Sequence, residues 1–222
     1  MSIVTIRGQL GSGASEIGKL VADRLHIDYV DREIIAEISE RLKWSKQGIA
    51  KKEMPPGSFR GRILEALSHA YPGAGYTGVY ARAYAPTWEI PLDDTSYLAG
   101  LESVIKELAA SSSIVIRGRG SQFILKDYPG ALHVLVVAPL EMRLKRVMES
   151  LELDEKHAEK EIERFDSSRR EFTKRYFKAE LENPGNYDLV INTKHLSFDS
   201  AASIVVGALP LKVTIGAQDR NV

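Results

Sequence analysis

Cysteine is absent from the 222 residues, which excludes a disulfide framework, a thiol nucleophile and a cysteine zinc site. The five histidines, His26, His69, His133, His157 and His195, stand singly, so no histidine pair at metal-ligand spacing is present. An excess of charge is missing too: 30 Lys and Arg balance 30 Asp and Glu, which argues against a dedicated nucleic-acid binder or a basic membrane-surface protein. No apolar run approaches the ~20 residues of a membrane span. The longest, such as residues 134–139, suit buried strands, and a soluble cytoplasmic protein with no nucleic-acid or membrane partner is the expectation.

What is present is an alternation of short apolar runs with amphipathic ones. Ile3 to Ile6 is β-branched and runs into Gly8, Gly11 and Gly13, a buried strand ending in a glycine loop. Ile17, Leu20, Val21 and Leu25 then fall on one helical face. Residues 27–30 predict a second strand, after which Asp31 caps a helix carrying Ile34, Ile35, Ile38 and Leu42. Helix 97–110 leads into strand 114–116, which stops at Arg117-Gly118-Arg119-Gly120. Residues 132–137 form a fourth strand, Pro139 starts a helix, 153–179 reads as one or two charged helices, and 189–191 is a fifth strand before a last helix capped by Ser197. Five nearly all-apolar strands separated by helices predict an α/β fold, a parallel sheet covered on both faces.

Residues 44–94 interrupt this pattern with Pro, Gly and aromatics, including Tyr71, Tyr76, Tyr80, Tyr84 and Trp88, and predict one short helix near 60–70. The expected organisation is a single domain over 1–208 with 44–111 inserted, 152–182 as a helical lid and 209–222 as a tail. The aromatic insertion either packs on its own domain, covers a substrate or joins two copies as a homodimer.

Ligands of such sheets bind at the carboxyl ends of the strands. The first such loop reads Gly8-Gln9-Leu10-Gly11-Ser12-Gly13-Ala14-Ser15, matching the phosphate-loop pattern G-x-x-x-x-G-K-[ST] except that Ala14 stands in place of lysine. Backbone N–H groups and a helix N-terminus can hold phosphate without side-chain charge. The alternative is a tight glycine turn. The dinucleotide pattern G-x-G-x-x-G fails, because Glu16 occupies its third glycine. A missing cation is worth on the order of 4 kcal/mol at 4 Å and an effective dielectric near 20. Arg7, Lys19 and arginines of the later helices are the candidates to replace it. Charge is segregated there: residues 152–163 hold six acids and two bases, residues 164–178 six bases and two acids. Arginines closing over phosphates would provide the positioning and neutralisation that phosphoryl transfer needs.

The glycine loop with Glu16-Ile17-Gly18, the stretch 114–147 with Arg117-Gly118-Arg119-Gly120 and Arg143-Leu144-Lys145-Arg146, the Asp166-x-x-Arg169 pair and residues 187–193 together resemble the cytidylate kinase-like family of P-loop nucleoside monophosphate kinases. The resemblance covers roughly 1–43 and 112–206. Gly120 stands where that family has aspartate, and Ile162 where it has arginine. The resemblance implies a P-loop fold and transfer of the terminal phosphoryl group of ATP, with Mg²⁺, to a nucleoside monophosphate or similar small acceptor. It implies that Gly8, Gly11, Ser12, Gly13, Ala14 and Ser15 hold the donor, to which the helix spacing adds Lys19 as a candidate cation. Ser15 would bind Mg²⁺, Arg119 the acceptor phosphate, and Asp166 with Arg169 the acceptor base or ribose. Arg119, Arg143, Arg164, Arg169 and Asp31 are the expected catalytic set. Loss of the loop lysine leaves a second reading, a nucleotide-binding regulatory protein without catalysis.

Overall fold

A computed structural model describes residues 1–31 and 95–211. The elements are β1 (Ile3–Gly8), α1 (Ala14–Leu25), β2 (Asp28–Val30), α2 (Thr95–Ser111), β3 (Ile114–Arg117), α3 (Ser121–Ile124), β4 (Ala131–Val137), α4 (Leu140–Leu151), α5 (Glu155–Phe177), β5 (Leu189–Asn192) and α6 (Phe198–Ala208). The strands form one parallel sheet in the order β2-β3-β1-β4-β5. This is the expected P-loop α/β architecture. The helix expected after Asp31, the short one near 60–70 and the aromatics of 71–88 lie outside the described residues.

Pleating sorts β1 onto two faces. Val4 and Ile6 join Val115, Val134 and Val136 in a core closed by Ile17 and Val21 of α1 and Ala201, Ala202 and Val205 of α6. Ile3, Thr5 and Arg7 face the other way and are equally buried. There Thr5 Oγ1 meets Nδ1 of His133, its register partner on β4, at 2.7 Å. That contact satisfies two polar groups that the sheet would otherwise bury unpaired.

Segment 153–179, read as one or two helices, is one helix of 23 residues, α5. It is set off from α4 by Glu152 in the left-handed region (φ 53°) and capped by Asp154, which accepts from the N–H of His157 at 2.9 Å. The cap's hydrogen bonds hold the Asp154 carboxyl below its ordinary pKa. Ile162, with Ala158 and Val147, forms a small core between α4 and α5 against which Leu10 of the glycine loop also packs. The short helix α3 is not foreseen from sequence, since four residues are too few to show a period.

Candidate functional site: a clamped glycine loop beside an arginine pocket

The loop after β1 begins with a turn closed by Ser12 N–H donating to Gln9 O at 3.0 Å. Gly11 and Gly13 take left-handed φ values of 77° and 91°. Gly13 is the N-cap of α1 and supplies no side-chain cap, so the first-turn N–H groups keep no intrahelical acceptor. Gly8 and Ser12 are buried beneath the loop, and the Ser12 hydroxyl has no hydrogen-bond partner among the described residues. Ala14 belongs to the apolar core under the loop and is 4% exposed, so position 14 supplies packing rather than charge. Ser15 lies half-buried with its Oγ 3.4 Å from the Tyr29 hydroxyl, and Lys19 is exposed one turn further along α1.

Two arginines and an aspartate hold this loop from behind. Asp166 Oδ1 accepts the Leu10 N–H at 3.1 Å, while its Oδ2 pairs with Arg143 at 2.6 Å. Arg143 also donates to Leu10 O at 3.3 Å. Both side chains of the pair are more than nine-tenths buried, where a charge-assisted bond is strong and an unpaired charge costly. Arg146 donates to Gly11 O at 3.1 Å and to Thr193 Oγ1 at 3.0 Å, and lies 4.9 Å from the centre of the Phe198 ring. Thr193, at the carboxyl end of β5, passes the link on by donating to Ser12 O at 2.9 Å. Replacing Thr193 by valine keeps its shape and leaves Ser12 O with only the longer 3.4 Å bond from Arg146. The loss expected is about 1–3 kcal/mol of stability, read from the urea midpoint.

Beside the loop, β3 ends in three consecutive left-handed residues: Gly118 (φ 75°), Arg119 (φ 61°) and Gly120 (φ 70°). Arg119 pays a conformational cost on the order of 1–2 kcal/mol there. Such strain is held where the surrounding structure fixes it, often at ligand sites. At Gly120 a Cβ would come 2.4 Å from the Phe177 ring, so the aspartate of the resembling family does not fit this packing. Phe177 stacks on Phe123 at 5.0 Å and contacts Phe172 at 6.0 Å, which seats the second half of α5 over the turn. The pocket so enclosed is lined by Arg7, Arg119 and Arg169 together with Gly118, Gly120 and Gln122, and no carboxylate is among its described lining residues. Arg169 lies flat on Phe165, 3.3 Å from the ring centre.

The expected site residues therefore fall into three groups. Gly8 to Ser15, Arg119 and Arg169 meet at the carboxyl edge of the sheet, and Asp31 lies buried at the same edge after β2. Arg143 and Asp166 are brought to the loop, but as a buried pair behind it. Arg164 points to solvent and pairs with Glu161 at 2.7 Å. Arg146, Thr193 and Phe198 were not singled out. Thr193 carried the one available signal, a polar residue closing an apolar strand at its carboxyl end. Tyr29 and Tyr187, both mostly buried, have their phenols pushed up to about 12, so they stay protonated at neutral pH; Tyr187 donates to Leu181 O at 2.6 Å.

Comparison with known proteins agrees with this architecture. The profile of the cytidylate kinase-like family matches residues 3–195. The fold aligns with a crystal structure of an uncharacterized protein from Eubacterium ventriosum over 96% of this chain and 100% of that one, with a TM-score of 0.67 and 18% identity. A shikimate kinase from Acinetobacter baumannii, solved with shikimate, aligns over 95% and 93% of the two chains with a TM-score of 0.44 and 14% identity. A stretch of 98 residues, 44% of the chain, is 33% identical to part of a protein named uronate isomerase from Corynebacterium glutamicum; the match spans 19% of that relative's length.

Proposed function

Because the chain belongs to the cytidylate kinase-like family, we propose that it is a phosphotransferase that moves the terminal phosphoryl group of ATP to a nucleoside monophosphate or a similar small acceptor. The observation that carries this reading is the placement of a braced glycine loop next to a pocket with three arginines and no acid among its described lining residues. Loop N–H groups and the α1 N-terminus bind the donor phosphates. Arg119 and Arg169 orient the acceptor and neutralise charge on the moving group. The Arg143–Asp166 pair and Arg146 keep the loop in its binding geometry and are positioning residues.

No cluster of three acidic or histidine side chains able to hold a metal occurs among the described residues. Mg²⁺ needs no such cage, since one or two protein oxygens and the substrate phosphates complete its shell. Ser15 Oγ, in the first turn of α1, fits that requirement and would be its protein ligand. When bound, the ion supplies charge neutralisation at the donor phosphates. The protonated Tyr29 phenol stands beside Ser15 and orients its hydroxyl, and Asp31 in turn interacts with Tyr29.

Incubation of the protein with ATP, Mg²⁺ and a panel of nucleoside monophosphates, CMP first, is expected to yield ADP and a diphosphate. ATP binding without transfer to any acceptor would overturn the enzyme reading. It would favour the second one, a nucleotide-binding regulatory protein, for which the core position of Ala14 speaks.

A further inference from the structure

Arg7 is the one charged side chain within β1. The pleat turns it away from the α1 face, and it is 8% exposed. A buried guanidinium is normally bound by a carboxylate or by several acceptors. Among the described residues Arg7 has neither; its one contact of note is the Phe165 ring, 5.9 Å from the guanidinium carbon. The nearest acids act on it only at range, because Asp166 is held by Arg143 and Leu10 N–H, and Glu182 lies 3.8 Å from Arg170. Burial lowers the Arg7 pKa to about 10, which leaves it cationic at neutral pH. It lines the same pocket as Arg119 and Arg169, which arrive from different elements, the turn after β3 and helix α5.

An unpaired buried cation that opens on a pocket with other cations and no acid among its described lining residues is a site for an anion from solution. We infer that Arg7 binds a phosphate-type oxyanion in the pocket beside the glycine loop, delivering from the sheet side the charge that Ala14 does not provide from the helix side. Two sources share that chemistry: the phosphate ester of an acceptor, and the terminal phosphate of a donor. Only the naming of donor and acceptor rests on the proposed function; the anion site does not.

The test is calorimetric titration of the full chain with inorganic phosphate, then separately with ATP and with a nucleoside monophosphate, for the wild type, Arg7→Met and Arg7→Lys. Arg7→Met is expected to weaken phosphate binding by about 10- to 100-fold, the worth of a charged hydrogen-bond set. Arg7→Lys keeps the charge without the fork and should fall between. Loss confined to the monophosphate places the anion on the acceptor, and loss confined to ATP places it on the donor. Equal affinities in all three proteins, or no phosphate binding by the wild type, would overturn the inference. A second readout separates this role from a packing one. In phosphate-free buffer Arg7→Met should melt at or above the wild-type temperature, because an uncompensated buried charge has been removed, and added phosphate should raise only the melting temperature of the proteins that keep a cation. A clear drop in melting temperature or failure of Arg7→Met to fold would make Arg7 a core residue and equally overturn the inference. Phosphate binding through Arg7 without any transfer activity would sink the transferase and leave the anion site standing.

Discussion

Asp166→Ala is expected to cost about 3–5 kcal/mol of folding stability, the penalty for leaving a buried arginine without its partner. Three things are lost together: the 2.6 Å pair with Arg143, the acceptor for Leu10 N–H, and the closure between α5 and the glycine loop. Arg143 Nε has no hydrogen-bond partner among the described residues and Nη1 would keep only Leu10 O, a single carbonyl that does not replace the carboxylate. Urea denaturation should show the midpoint falling with an unchanged slope. The double variant Asp166→Leu/Arg143→Met removes both charges and should recover much of the stability, since apolar replacement of a buried pair is often neutral. Its nucleotide affinity should stay reduced, because Leu10 N–H and Leu10 O are no longer held. If the double variant bound ATP like the wild type, the pair would be structural only. If Asp166→Ala were as stable as the wild type, the clamp described above would be wrong.

Gly13→Val is the second large effect. Gly13 sits at φ 91°, and a Cβ there would lie 2.2 Å from the Phe198 ring. The left-handed conformation costs a branched residue about 1–2 kcal/mol or more, and overpacking adds about 1–3 kcal/mol. If the variant relaxes by moving the loop, the donor N–H groups move with it, and ATP affinity should drop by about 10²-fold or more, as expected for oriented donors. Gly13→Ala combined with Phe198→Leu tests the cause. Space is restored, so stability should recover in part, while the backbone strain and the weakened ATP binding persist. Unchanged ATP affinity in a folded Gly13→Val protein would show that these glycines make a turn and nothing more.

Reading along the chain was sufficient for elements whose signal is local. The five strands announced themselves as short β-branched runs, and Ser197 was legible as a cap because its hydroxyl accepts from the N–H of Ser200, three residues on, at 3.0 Å. The glycine loop was legible for the same reason, since positive φ at two positions only two residues apart, 11 and 13, favours glycine at both. Arg119 could be singled out from the Gly-Arg-Gly run, although its own left-handed φ could not. The assignment of Asp166 illustrates the limit. Its spacing to Arg169 is visible in sequence and places both on one helix side. Its choice of partner, however, depends on Arg143 lying 23 residues away and Leu10 lying 156 residues away.

By itself the sequence therefore determined the order and type of the longer described elements, the parallel sheet, the glycines of the first loop and the absence of lysine from it. These rest on backbone preferences and hydrophobic period, which act over a few residues. Only the tertiary structure decided that Arg143, Arg146 and Thr193 brace the loop, that Ala14 is core, and that Arg7, Arg119 and Arg169 share one pocket. A charge has the same sequence signature whether it is paired, solvated or waiting for a ligand. Which of the three it is depends on what the fold packs against it, and for Arg7 the described residues supply an aromatic ring, a pocket and no hydrogen-bonded or ion-paired carboxylate.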